Sequence, residues 1–165
     1  MKFNTKLLHG KAGRNTPDGA TLPGISQVSA FSYDSAEHLE KVFGNKSPGF
    51  AYTRIGNPTV AAFEQRINEV EGGTGAVACA SGMAAITVAL LNVLSAGDEI
   101  IAGSGLFGGT IDLFKDLEAF GITTHFIPHI TVEDIKPVLN QNIKAVFGEI
   151  IGNPGLDVVN IKEVS

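Results

Sequence analysis

The sequence is short of the residues on which several classes of protein depend. Cys79 is its only cysteine, so no internal disulfide framework exists and the composition fits a reducing compartment. The small apolar neighbours of Cys79 predict a buried, inert thiol rather than a nucleophile. Arginine is confined to Arg14, Arg54 and Arg66, and the formal net charge is −5. Without a basic stripe the chain is a poor match for nucleic acid. No apolar run approaches a membrane span, and the segment from Met1 to Lys6 lacks the apolar core of an export signal, so cytoplasm is the expected location and no membrane partner is expected. Internal repeats and low-complexity tracts are also missing.

What is there is enough for one domain with a core: 165 residues, 44% of them hydrophobic. Up to about Pro58 the chain shows little periodicity and is punctuated by Gly10, Gly13, Pro17, Gly19, Pro23, Gly24, Pro48, Gly49 and Gly56. One short helix over residues 35–43, capped by Ser35, is expected within it. A long ordered arm is commonly functional or laid on another subunit, which points to an oligomer. Asn57-Pro58 then starts a firm helix with Val60, Phe63, Ile67 and Val70 as its buried face and Gly72-Gly73 as its end.

From there strands and helices alternate. The pattern predicts strands over 75–79, 99–102, 122–127 and 143–149. Helices are predicted over 83–94, which is apolar nearly all round and hence buried, over 110–119 with Ile111, Leu113, Phe114 and Leu117 inward, and from Thr131 to about Leu139. Such βαβ units imply an α/β fold, a mainly parallel sheet with helices on both faces. Val158 to Ser165 reads as an Asn-capped helix stopping after about one turn, too short to be stable alone. The chain is therefore expected to be a fragment of a longer protein.

Several motifs compete for the chemistry. Gly103-Ser104-Gly105-Leu106-Phe107-Gly108 matches a dinucleotide-binding pattern, but no carboxylate follows the next strand to hold a ribose, and Phe107 is bulky for such a turn. His125 and His129 are four apart at a strand end, where that spacing does not put them on one face, so no metal site is expected. His9 and His38 are isolated, and no Ser/His/Asp order stands out. The stretch Ala76 to Ile86 is more informative. A helix starting after Ser81-Gly82 presents unpaired N–H groups and its positive dipole end, a seat for a phosphate. Phe107, Glu149 and Asn153 fall with Ser81, Gly82 and Met83 at the C-terminal edge of the sheet. An anion seat, a stacking ring, and a nearby amide and carboxylate together suit a phosphorylated aromatic cofactor, and pyridoxal 5'-phosphate fits. Tyr52 and Arg54, on the arm, add a phenol and a guanidinium suited to phosphate.

The stretch from Phe50 to Thr59 resembles the signature of the pyridoxal-phosphate enzymes of cysteine and methionine metabolism, the cystathionine gamma-synthase family. Glu71-Gly72-Gly73, Ala80 to Ile86, Gly97 to Ile100, Leu106 to Thr110 and Glu149 to Gly155 follow in that family's order and approximate spacing. The wording is most similar to O-acetylhomoserine sulfhydrylases, with methionine gamma-lyases close behind. The resemblance implies the first part of an aspartate aminotransferase-like (fold type I) large domain over residues 58–165, preceded by an arm over 1–57. It implies that the Gly82 and Met83 N–H groups, with Ser81, bind the cofactor phosphate, and that Tyr52 and Arg54 reach the phosphate in the neighbouring subunit. Phe107 takes the place of the ring-stacking aromatic, usually Tyr in the family, and Asn153 that of an amide contacting the cofactor's phenolic oxygen. The implied partners are an amino-acid substrate and further copies of the chain, in a dimer sharing active sites or a tetramer. The Ser-x-Thr-Lys segment with the Schiff-base lysine is not in this sequence, so the chain alone is expected to be inactive. A non-catalytic remnant serving as a binding or oligomerisation module is the alternative from another class.

Overall fold

Asn57 shows how local chemistry sets the first part of the structure, a computed structural model that describes residues 2–10 and 19–165. Gly13, Arg14 and Pro17 lie outside the described residues. The chain divides into a first unit through Ala78 and a second from Cys79 to Ser165. In the first, Asn57 caps helix α3 (Pro58–Glu71; α1 and α2 precede it) by accepting from the Thr59 N–H at 2.9 Å. Its amide also donates to Ser26 O and Thr53 Oγ1, both at 3.1 Å. Helix α3 ends at Gly72, whose φ of 67° is the left-handed conformation that glycine adopts without strain. The expected apolar face is present but not buried: Val60, Phe63 and Ile67 are exposed. Apolar periodicity specifies a face, and burial needs something to cover it, which the described residues of the first unit do not supply.

The described residues before α3 are more ordered than their composition suggests. It contains an unforeseen helix, α1 (Phe3–His9), and the expected α2 (Ala36–Phe43), capped by Ser35 Oγ accepting from His38 N–H. Residues 28–31 and 51–53 run antiparallel, joined by Phe31 N–H to Ala51 O, Thr53 N–H to Ser29 O and the Thr53 hydroxyl to Val28 O. Tyr33 donates to Phe50 O beside Gly49, where a Cβ would come within 2.2 Å of the Tyr33 hydroxyl oxygen.

The second unit is built on a parallel three-stranded sheet of order β2-β1-β3, with β1 Glu99–Gly103, β2 Thr123–Ile127 and β3 Ile143–Phe147. Its helices are α4 (Gly82–Val93), α5 (Gly108–Asp116) continued by a 3₁₀ turn (Leu117–Phe120), and one-turn α6 (Val132–Ile135) and α7 (Ile161–Val164). On one face Leu90 and Leu94 meet Phe114, Leu117 and Ile122 over Ile100 and Ala102. Phe114 is fully buried, edge-on to the rings of Phe147 at 5.2 Å and Phe126 at 6.2 Å. On the other face Ile130, from the β2–β3 connection, seats on Gly103 and Gly148, where Cβ atoms would each meet it at 2.9 Å. Connections on opposite faces are what right-handed crossovers require when the strand order reverses.

Three expectations fail here. Residues 75–79 form no strand, because among the described residues they have no ladder partner, and Val77 is 81% exposed. The apolar helix α4 is buried only at Leu90, and Val88, Leu91 and Val93 face outward. The predicted helix from Thr131 shrinks to α6, capped by Thr131 Oγ1 accepting from Asp134 N–H.

Candidate functional site

The strand order places the site. From β1 the chain leaves toward β2, and β3 lies on the other side of β1, so the loops at the C-terminal ends of these two adjacent strands diverge and leave a crevice. Three of the sequence-predicted residues sit on its two lips. Phe107 closes the β1–α5 loop, and Glu149 and Asn153 lie on the loop leaving β3. The lips are tied by Asn153 N–H to Gly105 O at 3.1 Å and by Phe107 N–H to Glu149 Oε1 at 2.9 Å. The Asn153-Pro154 peptide is cis. The lips meet closely at Gly152, where a Cβ would come within 3.1 Å of the Gly105 carbonyl oxygen. A cleft of about 250 Å³ beside this junction has Glu149, His129 and Asn160 on its wall.

Helix α4 supplies the anion seat. Ser81 is its N-cap, accepting from Ala84 N–H at 3.1 Å, and the first intrahelical bond runs from Ala85 N–H to Ser81 O. The Gly82 and Met83 N–H groups therefore have no intrahelical acceptor, and the Ser81 hydroxyl proton remains to be donated. Space in front of them is open: a Cβ on Gly82 would meet nothing within 4 Å. Three convergent donors at a positive helix end, with no side chain in the way, fit a phosphate group.

Two residues missed from sequence join the seat to the crevice. Thr110, in the first turn of α5, is almost fully buried, and its hydroxyl meets Met83 Sδ at 3.9 Å. Gly109 lies under the Phe107 ring, where a Cβ would come 2.8 Å from Cε1. The Gly108-Gly109-Thr110 run at a predicted helix start was the available signal. The ring of Phe107 is 53% exposed, available for stacking. Asn153 is exposed, and among the described residues its side-chain amide makes no hydrogen bond.

Tyr52 and Arg54 belong to the first unit and are described there. Ile55 and Gly56 N–H groups both bond Tyr52 O, closing a tight turn that displays the two side chains with the Arg54 guanidinium 5.3 Å from the Tyr52 ring centre. Of the other candidates, His125 stays apart from the crevice, whereas His129 lines the cleft beside it. His125 pairs with Glu99 (Nε2 to Oε2, 2.5 Å) near the start of β1, and His129 donates its backbone N–H to Asp134. Hydrogen bonds from Asn140, His125 and Asn142 hold the Glu99 carboxyl at about 2, below its ordinary value. Among the described residues no group of three or more His, Cys, Asp or Glu is placed to hold a metal ion, and no helix is long and apolar enough to cross a membrane. Cys79 is half-buried rather than buried.

Comparison with known proteins gives this geometry a family. The chain is 40% identical over 165 residues to an O-acetyl-L-homoserine sulfhydrylase of Corynebacterium glutamicum, covering 99% of this chain and 38% of that protein. It is 35% identical over 164 residues to an L-methionine gamma-lyase of Fusobacterium nucleatum subsp. polymorphum, covering 99% of this chain and 41% of that one. A solved structure of a Campylobacter jejuni protein described as an O-acetylhomoserine (thiol)-lyase carries a pyridoxyl-lysine monophosphate group. It matches with a TM-score of 0.88 at 31% identity, over 99% of this chain and 40% of that one. The chain thus spans about two fifths of the length of these relatives. The model of the Cys/Met metabolism PLP-dependent enzymes matches residues 4–165, and the chain belongs to that family.

Proposed function

We propose that this chain forms the phosphate-holding part of an O-acetylhomoserine sulfhydrylase-like enzyme, which replaces the acetate of O-acetylhomoserine by sulfide or a thiol to give homocysteine or a related thioether. The observation that carries the reading is the open N-terminus of α4 joined through Thr110 to the turn that presents the Phe107 ring. The Gly82 and Met83 N–H groups and the Ser81 hydroxyl hold the phosphate of pyridoxal phosphate, Phe107 stacks on its ring, and the Asn153 amide meets its phenolic oxygen. Bound there, the cofactor supplies an electron sink for the bond broken at the substrate's α-carbon. Tyr52 and Arg54 act in trans on the phosphate held by a second copy, in a cytoplasmic dimer or tetramer whose subunits share sites. The arm over residues 1–57 serves that contact, and residues 58–165 serve the cofactor. Similarity to O-acetyl-L-homoserine sulfhydrylases at 35–40% identity supports this reading, and similarity to L-methionine gamma-lyases at 34–35% makes elimination the second one.

The test supplies the full-length protein that carries this chain with pyridoxal phosphate, O-acetylhomoserine and sulfide and measures homocysteine. Ammonia and a 2-oxo acid released from methionine, with no homocysteine formed, would assign a gamma-lyase instead. Absence of pyridoxal phosphate binding would overturn the reading altogether.

A further inference from the structure

The two lips of the crevice are joined in unlike ways. Asn153 and Gly105 meet backbone to backbone, as neighbouring loops commonly do, whereas the Phe107 N–H is held by a side chain 42 residues away, Glu149. Phe107 immediately precedes α5, has extended backbone (φ −54°, ψ 138°) and offers no cap of its own. A carboxylate acceptor makes a stronger bond to an N–H than a neutral carbonyl does, so it fixes the peptide from which the ring projects. The ring then rests on Gly109, and the next residue, Thr110, ties the turn to Met83. Carboxylate, ring and phosphate seat form one connected series.

We infer that Glu149 is a positioning residue: it sets the Phe107 ring at the phosphate seat and acts on the ligand through that ring, not by direct contact. This rests on the reading that Phe107 faces the cofactor ring.

The experiment compares wild type, E149Q, E149A, F107A and F107A/E149A in the full chain by two measurements. Without ligand, the nuclear Overhauser contact between the Phe107 ring protons and the Gly109 α-protons is expected in wild type and E149Q, whose side-chain carbonyl still accepts, and lost in E149A. With pyridoxal phosphate, E149A is expected to weaken binding about tenfold and E149Q less than about twofold. In the F107A background E149A is expected to have no further effect, since residues acting through one group are not additive. A ring contact that persists in E149A overturns the inference. So does additivity with F107A, or an E149Q as damaging as E149A, which would place the charge on the ligand itself. If wild type does not bind pyridoxal phosphate, the proposed function falls while the ring contact still decides the inference. Should E149A lose the protection of its β1 amides, G109A takes its place: it pushes the ring aside with Glu149 intact and is expected to weaken binding comparably, and unchanged binding overturns the inference.

Discussion

Ser81→Ala and Ser81→Asp separate two duties that meet in one side chain. As N-cap, Ser81 Oγ holds the Ala84 N–H at 3.1 Å; as part of the proposed seat, its proton goes to a phosphate. Alanine removes both. Loss of the cap costs about 1 kcal/mol, so Ala84 amide exchange is expected to rise about fivefold. Loss of one hydrogen bond to a charged ligand, worth about 1.5–3 kcal/mol, weakens pyridoxal phosphate binding roughly 10- to 100-fold. Aspartate separates the two. It caps as well as serine and complements the helix dipole, so α4 keeps its protection. Its charge, however, lies against the phosphate: two unit charges about 4 Å apart repel by about 4 kcal/mol at a surface-like dielectric, roughly a thousandfold in affinity and less in salt. Hydrogen exchange at Ala84 and a cofactor titration read the two effects from one sample. If Ser81→Asp binds pyridoxal phosphate as wild type does, the seat is not where the phosphate goes. Unchanged Ala84 exchange in Ser81→Ala would refute the cap.

Phe114→Ala empties the centre of the second unit's core, where the ring is fully buried against Phe147 and Phe126, and is expected to cost about 3–5 kcal/mol in urea unfolding; a loss below about 1 kcal/mol would mean the core is organised elsewhere. Asn57→Ala strips the α3 cap and leaves Ser26 O without its Asn57 donor, so a loss of about 2 kcal/mol is expected by the same assay. Asn57→Asp keeps the cap but not the donors and should fall between. The Glu99 carboxyl is lowered from 4.5 to about 2 by Asn140, His125 and Asn142. A depressed folded value contributes stability above pH 4.5 that is lost as pH falls toward 2. Melting temperature should therefore drop over that window in wild type and drop less in Glu99→Gln; equal acid profiles would refute the linkage.

The parts of this molecule that could be read from sequence are those settled within a few residues. Asn57-Pro58 and Ser35 cap helices because the groups they satisfy lie two or three positions away. The positions of Phe107, Glu149 and Asn153 at strand exits followed from alternation alone. What escaped depends on distant partners. Residues 75–79 have the composition of a strand, but a strand exists only as part of a ladder. Val60, Phe63 and Ile67 share a stripe, and the stripe says nothing of what covers it. The reversal of strand order, and with it the bond of Glu149 to Phe107, follows from packing between segments some forty residues apart, where local pattern carries no signal.

The central position of β1 has a consequence for the order of events during synthesis. A chain emerging N-terminus first exposes β1 with both edges open, and its two neighbours arrive afterwards, one on each side. The α4 terminus is complete by then, yet the crevice does not exist until β3 has docked and carried Glu149 and Asn153 to the far lip. On the proposed reading, the α4 seat forms early in synthesis, and the Phe107 ring is held beside it only once β3 has docked and brought Glu149 to the far lip.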